Sequence, residues 1–588
     1  MKSHFYSDLA ISSSSWAAFE RLVLRTLSLK GFKQCSVVGQ SGDGGADVLG
    51  LHNGKRWLFQ VKAYATAISP EVVNETLAAM QKYEADIPVI VSKNGFTAEV
   101  YERQKQLVSQ GIRLQLWDRS RIQEIGESFT VAPKIETDPN SFVLRDYQSE
   151  AIRNVVGSHI ANSSGSALVV LATGLGKTFV AAESIRRMRS AGQRVLVIAH
   201  TIDLVLQLER AFWPFLSTED ATCVLTSTDR PQSWEDLQHF PFIFATRDSL
   251  DSLLTSEVPL PRFDFVVVDE CHHLGAEVYE RVLDALEVGM AGGPFLLGLT
   301  ATPWRPNGDS LGHRFSEPVI NVDLARGLRD GYLANVDYRM YTDNVDWDRV
   351  ASLHGESFSP KSINRTLFIH EWDDAVANRL AEAWMELDGN ARGIVFCGTI
   401  SHAITMANRI NAMGFTTAKA IYSGGKAENR TPLSTVDRNR MLWDFNDGRI
   451  GVICAVDILN EGVDVPDVNL VVFQRVTHSR RIFTQQLGRG LRLSQGKDKV
   501  LVLDFVTDIR RFAAGLQLER DLAGSGDLRR NPTTIRLNSS VTFMRSTEVD
   551  KVGHDFLKLW LKDLDEVEAA GEDVSLLAFP PIEEIGRP

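Results

Sequence analysis

The sequence predicts an α/β protein: two parallel-sheet lobes, a smaller α/β domain before them and a short tail after them. Three observations predict it. Continuous apolar runs recur between amphipathic helical stretches in two sets, ALVVLAT, RVLVIAH, FIFAT, FDFVVVDE and FLLGLTAT, then RGIVFCG, IGVICAV, VNLVVFQ and KVLVLDF. Strands that are apolar throughout belong to parallel sheets covered on both faces. A polar, proline-containing stretch, GESFTVAPKIETDPNS, separates these sets from an N-terminal region with strand and helix patterns of its own.

Taken in order, SWAAFERLVLRTLSLKG has helical apolar spacing and stops at Gly31. The β-like runs ADVLGLH and KRWLFQVKA meet across Asn53-Gly54, a hairpin signal. A helix from about Pro70 to Tyr83 leads to the strand IPVIVS, and another helix precedes the strand IRLQLWD. This order predicts a mixed sheet. The expected units are 1–125, a linker at 126–141, lobes at 142–330 and 331–508, and an extension at 509–588. In that extension DFLKLWLKDLDEVEAA reads as an amphipathic helix, so the tail is expected to be mainly helical.

No apolar run reaches roughly 18 residues, so no membrane span is expected. The start, MKSHFYSDLAISSSSW, lacks a signal peptide's charged and apolar regions, and a cytoplasmic protein is the simplest reading. The five cysteines lie far apart without a CxxC pair, which excludes a disulfide framework or zinc site as the organising feature. The net charge of −12 excludes a surface that is basic all over. A local groove can still bind phosphates through backbone N–H groups, hydroxyls and a few cations.

LATGLGKT at 171–178 follows a predicted strand and opens a helix. A triphosphate needs close N–H donors. Gly174 and Gly176 let the backbone approach, Thr173 and Leu175 complete the loop, and the helix N-terminus adds a favourable dipole. Lys177 would reach the β/γ phosphates, and the Thr178 hydroxyl would hold Mg2+. Leu171 replaces the first glycine of the broad pattern. At the end of FDFVVVDECHH, Asp269 can hold Mg2+ through water and Glu270 can orient or deprotonate the attacking water. ATP and Mg2+ are the implied cofactors.

TGLGKT, DECH, TAT and QQLGRGLR occur in the order of motifs I, II, III and VI of superfamily 2 helicases, and residues 142–507 resemble that family. LRDYQSEAI resembles its Q-motif region, AHTIDLVLQ and FATRDSL its DNA-contacting motifs, GIVFCGTISHA motif IV and AVDILNEGVDVPDV motif V. The resemblance implies two RecA-like lobes. It also implies that Gln148 reads adenine, that Gly462 and Asp464 line the ATP cleft from the second lobe, and that Arg489 and Arg492 act as arginine fingers. A guanidinium suits that role because it stabilises charge spread over the γ-phosphate oxygens. Thr300 and Thr302 would relay cleft closure to the DNA groove, with His272 linking motif II to them. Ala455 departs from the hydroxyl many relatives carry, which puts one phosphate contact in doubt. The motif style is closer to restriction motor subunits and DNA-repair helicases than to the DEAD-box RNA group, so double-stranded DNA is the favoured partner.

The segment GQSGDGGADVLG…WLFQVKAY carries a second constellation. Gln60 and Lys62 alternate on one strand, and period two puts them on one face. Phosphodiester cleavage needs oxygen ligands for a metal and a cation near the nucleophile. Asp47, the helix residue Glu20 and the Gln60 carbonyl could bind the metal, and Lys62 could position the nucleophile; Asp43 could simply cap the turn. Residues 10–125 resemble the Mrr-type branch of restriction endonuclease-like folds, on Glu20, the Gly42-Asp43-Gly44-Gly45-Ala46-Asp47 turn and Gln60-Val61-Lys62. The resemblance implies a DNA nuclease. Its alternative is a degenerate domain that only binds DNA.

Together these features imply an ATP-dependent DNA translocase or helicase coupled to a Mg-dependent endonuclease in restriction or antiphage defence. No methyltransferase motif or target-recognition domain is evident, so a recognition or defence-system partner protein, DNA structure or modification state is expected to supply the target. The other readings are a DNA-repair helicase–nuclease, a nucleoprotein-remodelling ATPase with an inert docking domain, and an RNA helicase.

Overall fold

The computed structural model describes residues 11–38, 45–127, 144–301, 314–341, 373–387, 391–422, 433–456, 468–474 and 499–505, apart from a few positions inside these ranges. It also describes short strands at 357–358, 534–537, 541–545 and 577–578.

Ser15 caps the first helix, α1 (Trp16–Leu29), by accepting from the Ala18 N–H at 3.1 Å. Phe19, Leu22, Val23 and Leu27 bury its apolar face. A five-stranded sheet follows, in the order β1 (Lys33–Val37), β2 (Val48–His52), β3 (Lys55–Lys62), β4 (Ile87–Ser92) and β5 (Gln115–Trp117). β1, β2 and β3 pair antiparallel, and β3, β4 and β5 pair parallel. The expected mixed sheet is therefore present. Asn53 and Gly54 have φ of 51° and 70°, the two left-handed positions a tight hairpin needs. β1 was not expected: KQCSV has neither an apolar run nor clean alternation, and pairing with β2 makes it a strand. α2 (Glu71–Lys82) packs behind β3 and β4.

The next sheet has seven strands in the order β12-β6-β11-β10-β7-β9-β8, all parallel. These are β6 (Ser166–Leu171), β7 (Val195–Ala199), β8 (Thr222–Leu225), β9 (Phe242–Thr246), β10 (Phe265–Val268), β11 (Phe295–Thr300) and β12 (Ile320–Val322). The third sheet has eight strands in the order β16-β17-β15-β18-β19-β13-β21-β20. Its members are β13 (Asn335–Tyr341), β15 (Gly393–Cys397), β16 (Ala418–Tyr422), β17 (Val452–Val456), β18 (Leu470–Gln474), β19 (Lys499–Phe505), β20 (Thr534–Leu537) and β21 (Val541–Arg545). β14 (Ser357–Phe358) pairs separately with β22 (Leu577–Ala578). Ala455 is buried within β17, so it offers no surface to a phosphate.

The described part of the tail is strand, where a mainly helical tail was expected. β21 runs parallel to β13, and β20 closes the edge antiparallel to β21. The expected helix DFLKLWLKDLDEVEAA lies outside the described residues.

At the carboxyl ends of β7, β9 and β15, motif threonines cap the helices that follow. Thr201, Thr246 and Thr399 accept from backbone N–H groups of Leu204, Ser249 and His402 at 3.3, 3.4 and 3.1 Å. The N-terminal sheet touches both lobes. Arg21 on α1 pairs with Glu209 at 3.0 Å and also with Asp229, and Arg25 donates to the Ser217 and Asp220 carbonyls at 3.2 Å. On the other side Trp443, from the helix Thr435–Asn446, inserts into an apolar cluster with Val38, Leu49, Leu58 and Tyr83.

Candidate active sites

β6 delivers the chain into the loop Ala172–Gly176, and the helix Lys177–Met188 starts directly after it. Gly174 and Gly176 have φ of 92° and 83°, conformations only glycine adopts without strain. A Cβ at Gly176 would also meet Gln148 Nε2 at 2.9 Å. Gln148 holds this loop: its Nε2 donates to the Leu175 carbonyl at 3.2 Å, and its Oε1 accepts from the Arg145 N–H at 3.1 Å. The Tyr147 hydroxyl donates to the same carbonyl at 2.8 Å. Sequence reasoning missed Tyr147 and Tyr332, whose rings lie 4.4 Å apart beside the loop; only the Tyr next to Gln148 carried a signal. Thr173 and Thr178 are half-buried at the loop's two ends.

β10 brings the carboxylates to the same place. Lys177 Nζ donates to Glu270 Oε1 at 2.9 Å. Burial works against the charge on Lys177, but the Glu270 and Asp269 carboxylates outweigh it and raise its pKa. Burial likewise opposes the Glu270 charge, and Lys177 and His272 override it, holding that carboxyl far below the usual range. Asp269 takes the opposite course: burial, then the neighbouring Glu270 charge, push it up to about 6. Asp269 Oδ1 is buried without a hydrogen-bond partner among the described residues. An oxygen so placed fits a hydrated divalent cation, which restores the ionised form.

Glu270 sits at φ 48°, a left-handed backbone rare for a side chain with a Cβ, and that turn aims its carboxylate back at Lys177. His272 Nδ1 lies 3.2 Å from Glu270 Oε2 and 3.1 Å from Thr300 Oγ1. The carboxylate only accepts, so it favours the Nδ1–H ring form. Glu270, His272 and Thr300, the last residue of β11, thus form one contact chain whose inner members His272 and Thr300 are buried. Thr302, Gly462, Asp464, Arg489 and Arg492 lie outside the described residues.

In the N-terminal domain Asp47 is buried at the start of β2, and its Oδ2 accepts from the Val61 N–H at 2.5 Å. Glu20 is buried on α1. Gln60 and Lys62 do share a face of β3. Gln60 Nε2 donates to Glu75 Oε2 at 3.0 Å, and Lys62 Nζ lies 3.6 Å from the same oxygen. The Gln60 carbonyl, expected to face a metal, instead accepts from the Thr76 hydroxyl. Glu75 is the residue sequence reasoning missed; nothing in EVVNETLAAM marks it until α2 packs on β3. Gly45 has φ of 94°, and a Cβ there would meet Gln60 Nε2 at 3.3 Å, so this glycine of the turn permits close approach. Asp43 lies outside the described residues. Among the described residues no group of three or more His, Cys, Asp or Glu could hold a metal ion.

Residues 11–125 match the family model described as a restriction endonuclease, residues 141–305 the type III restriction enzyme res subunit, and residues 376–494 the helicase conserved C-terminal domain. The chain thus carries a restriction-endonuclease domain followed by the two parts of a helicase motor. It is similar to the type I restriction enzyme EcoAI endonuclease subunit of Escherichia coli, 27% identical over 393 residues, covering 63% of this chain and 47% of that protein. It is also 26% identical over 388 residues to the DNA 3'-5' translocase XPB2 of Sulfurisphaera tokodaii, covering 62% of this chain and 81% of the relative. Among solved structures, the ATP-dependent Type ISP restriction-modification enzyme LlaBIII bound to DNA shares the fold, with a TM-score of 0.50 and 16% identity over 95% of this chain and 42% of that one. The chain spans between 47% and 63% of the length of three curated relatives, the EcoAI subunit among them. No helix of the described residues is long and apolar enough to cross a membrane.

Proposed function

We propose that this chain is an ATP-driven DNA translocase or helicase whose N-terminal domain cuts DNA, acting in restriction or antiphage defence. The observation that carries the motor reading is the contact chain Lys177–Glu270–His272–Thr300, with its 2.9, 3.2 and 3.1 Å contacts at the phosphate loop. Lys177 exchanges Glu270 for the β/γ-phosphate oxygens of ATP. Glu270 is then released to orient a water and accept its proton as the water oxygen bonds to the γ-phosphorus and the β,γ-bridging oxygen leaves with ADP. Thr178 and Asp269 would hold Mg2+, which would supply charge neutralisation. Arg489, Arg492, Gly462 and Asp464 are assigned to complete the site from the second lobe, and closing it carries the DNA forward. Double-stranded DNA is the substrate we favour.

For cleavage, Lys62 stabilises charge at the scissile phosphate, while Asp47, Glu20 and the Gln60 carbonyl are the oxygen set for Mg2+. The Gln60 amide has to turn from Thr76 to serve. That contact favours a second reading, in which the N-terminal domain is inert and serves only for docking on DNA or a partner protein. We keep the unit limits 1–125, 126–141, 142–330, 331–508 and 509–588 as working boundaries.

The test incubates the full chain with Mg2+, with and without ATP, on linear, circular, forked and single-stranded DNA. Lys62→Ala should abolish cleavage and keep DNA-stimulated ATP turnover; cleavage that survives Lys62→Ala sinks the nuclease assignment and leaves the docking reading.

A further inference from the structure

Two exposed aromatic rings contact the end of the strand that carries Gln60 and Lys62. Trp16 is 54% exposed, although α1 opens with it and its neighbours Phe19 and Leu22 are buried. Its indole N–H donates to the Val61 carbonyl at 3.3 Å, which fixes the ring's edge to β3 and leaves a face to solvent. Tyr64 is 49% exposed two residues beyond the strand, with Lys62 Nζ 5.8 Å from its ring centre. Each ring is thus tied to one of two consecutive residues of the cleavage strand.

Polar contacts link basic residues to the pair. The Tyr64 carbonyl accepts from Asn94 Nδ2 at 2.6 Å, and Asn94 Oδ1 accepts from Arg119 Nη2 at 3.0 Å. Lys93, beside Asn94, donates its backbone N–H to the Lys62 carbonyl at 3.1 Å, and its Nζ reaches the Ser14 carbonyl, two residues before Trp16, at 2.8 Å. Lys62 and Arg119 are thus the part-exposed cations linked to the two rings, the buried Lys93 being engaged by the Ser14 carbonyl, and Glu75 is a carboxylate beside Lys62. Stacking faces interleaved with cations suit a single nucleic-acid strand: phosphates meet the cations, and an unstacked base meets a ring. A base inside an intact duplex offers no face to stack on.

We propose that Trp16 and Tyr64 form a base-stacking site that holds an unpaired nucleotide of the DNA strand presented to Lys62, so that the N-terminal domain prefers strands opened or distorted by the motor. This rests on the nuclease reading for its purpose, but not for its test.

The test uses the full chain in EDTA, so that nothing is cut, with duplexes carrying one 5-iodouracil either in a single-nucleotide bulge or base-paired. After irradiation the crosslinked peptides are mapped by mass spectrometry. The bulged base should crosslink to the peptides containing Trp16 and Tyr64, and the paired base much less. Trp16→Ala and Tyr64→Ala should each lower the yield there, following an affinity loss of roughly 5- to 150-fold per ring. Trp16→Phe keeps a stacking face and should retain the crosslink, and Tyr101→Ala, an exposed ring elsewhere on the domain, should not change it. Crosslinks confined to residues beyond 141, equal yields from paired and bulged bases, or loss in Trp16→Phe equal to that in Trp16→Ala would each overturn the site. Crosslinks at Trp16 and Tyr64 without any Mg2+-dependent cleavage would uphold the stacking site and end the nuclease reading.

Discussion

The Arg56 guanidinium lies flat over the Trp443 ring, 4.5 Å from its centre, and joins the strand that carries Gln60 and Lys62 to the second lobe. Arg56 Nη2 donates to Asp444 at 2.7 Å and Nε to Asp447 at 3.0 Å. Glu84 adds a pair with Arg449 at 2.6 Å and another with Arg440. At the opposite side Arg21 grips Glu209 and Asp229 of the first lobe. The N-terminal domain is therefore held by both lobes at once.

Arg56 is 2% exposed, and Arg56→Ala leaves Asp444 with Arg440 at 3.7 Å and Asp447 with Arg449 at 3.4 Å. Losing a hydrogen bond to a charged group costs about 1.5–3 kcal/mol. The expected outcome is earlier release of the N-terminal domain in limited proteolysis and fewer cleavage events per ATP hydrolysed. Unchanged proteolysis together with an unchanged ratio would show that the contact carries no coupling.

Replacing Lys177 by Ala should abolish ATP turnover, because the phosphate contact and the neutralising partner of Glu270 vanish together. Glu270→Gln should keep ATP binding and lower turnover by roughly 10²- to 10⁴-fold, the usual contribution of a positioned general base. Equilibrium nucleotide binding and steady-state phosphate release separate the two. Wild-type turnover in Glu270→Gln would remove the residue from the chemistry.

His272→Ala and Thr300→Val each break the same contact chain, so their effects on DNA-stimulated ATP turnover should not add. The double variant is expected to resemble the worse single one, with a coupling of about 0.5–3 kcal/mol. Strict additivity in a double-mutant cycle would mean that the 3.1 Å contact transmits nothing.

Glu183, on the helix that starts at Lys177, accepts from Arg186 at 2.6 and 2.8 Å and from Arg187 at 2.7 Å. Burial resists its charge, but the two arginines prevail and hold its pKa below the ordinary value. A depressed folded-state pKa contributes stability above the unfolded value, about 4.3, and loses it as pH falls through the folded one. Glu183→Gln should therefore unfold at lower temperature than the parent at neutral pH, with the gap closing below about pH 4. A gap that stays constant from neutral pH down would contradict this origin.

Much of the motor site was legible because a triphosphate constrains a short stretch of chain. Gly174, Gly176 and Lys177 follow from local backbone and charge requirements, and Asp269 and Glu270 from the end of an apolar strand. Gln60 and Lys62 were legible for the same kind of reason, period two on a strand. Glu75 was not, because it reaches their face only once α2 packs on β3. β1 was equally hidden: its mostly polar sequence becomes a strand through its pairing with β2.

By itself, then, the sequence determined the glycine-rich loop with its lysine, the acidic pair at a strand end and which strands are buried on both faces, since these depend on spacing within a few residues. Only the tertiary structure decided that Lys177 meets Glu270, that Gln60 turns to Thr76, and that Arg56 docks on Trp443. Those contacts join residues 16 to nearly 390 positions apart, and local pattern carries no information about which distant surfaces exclude water from one another.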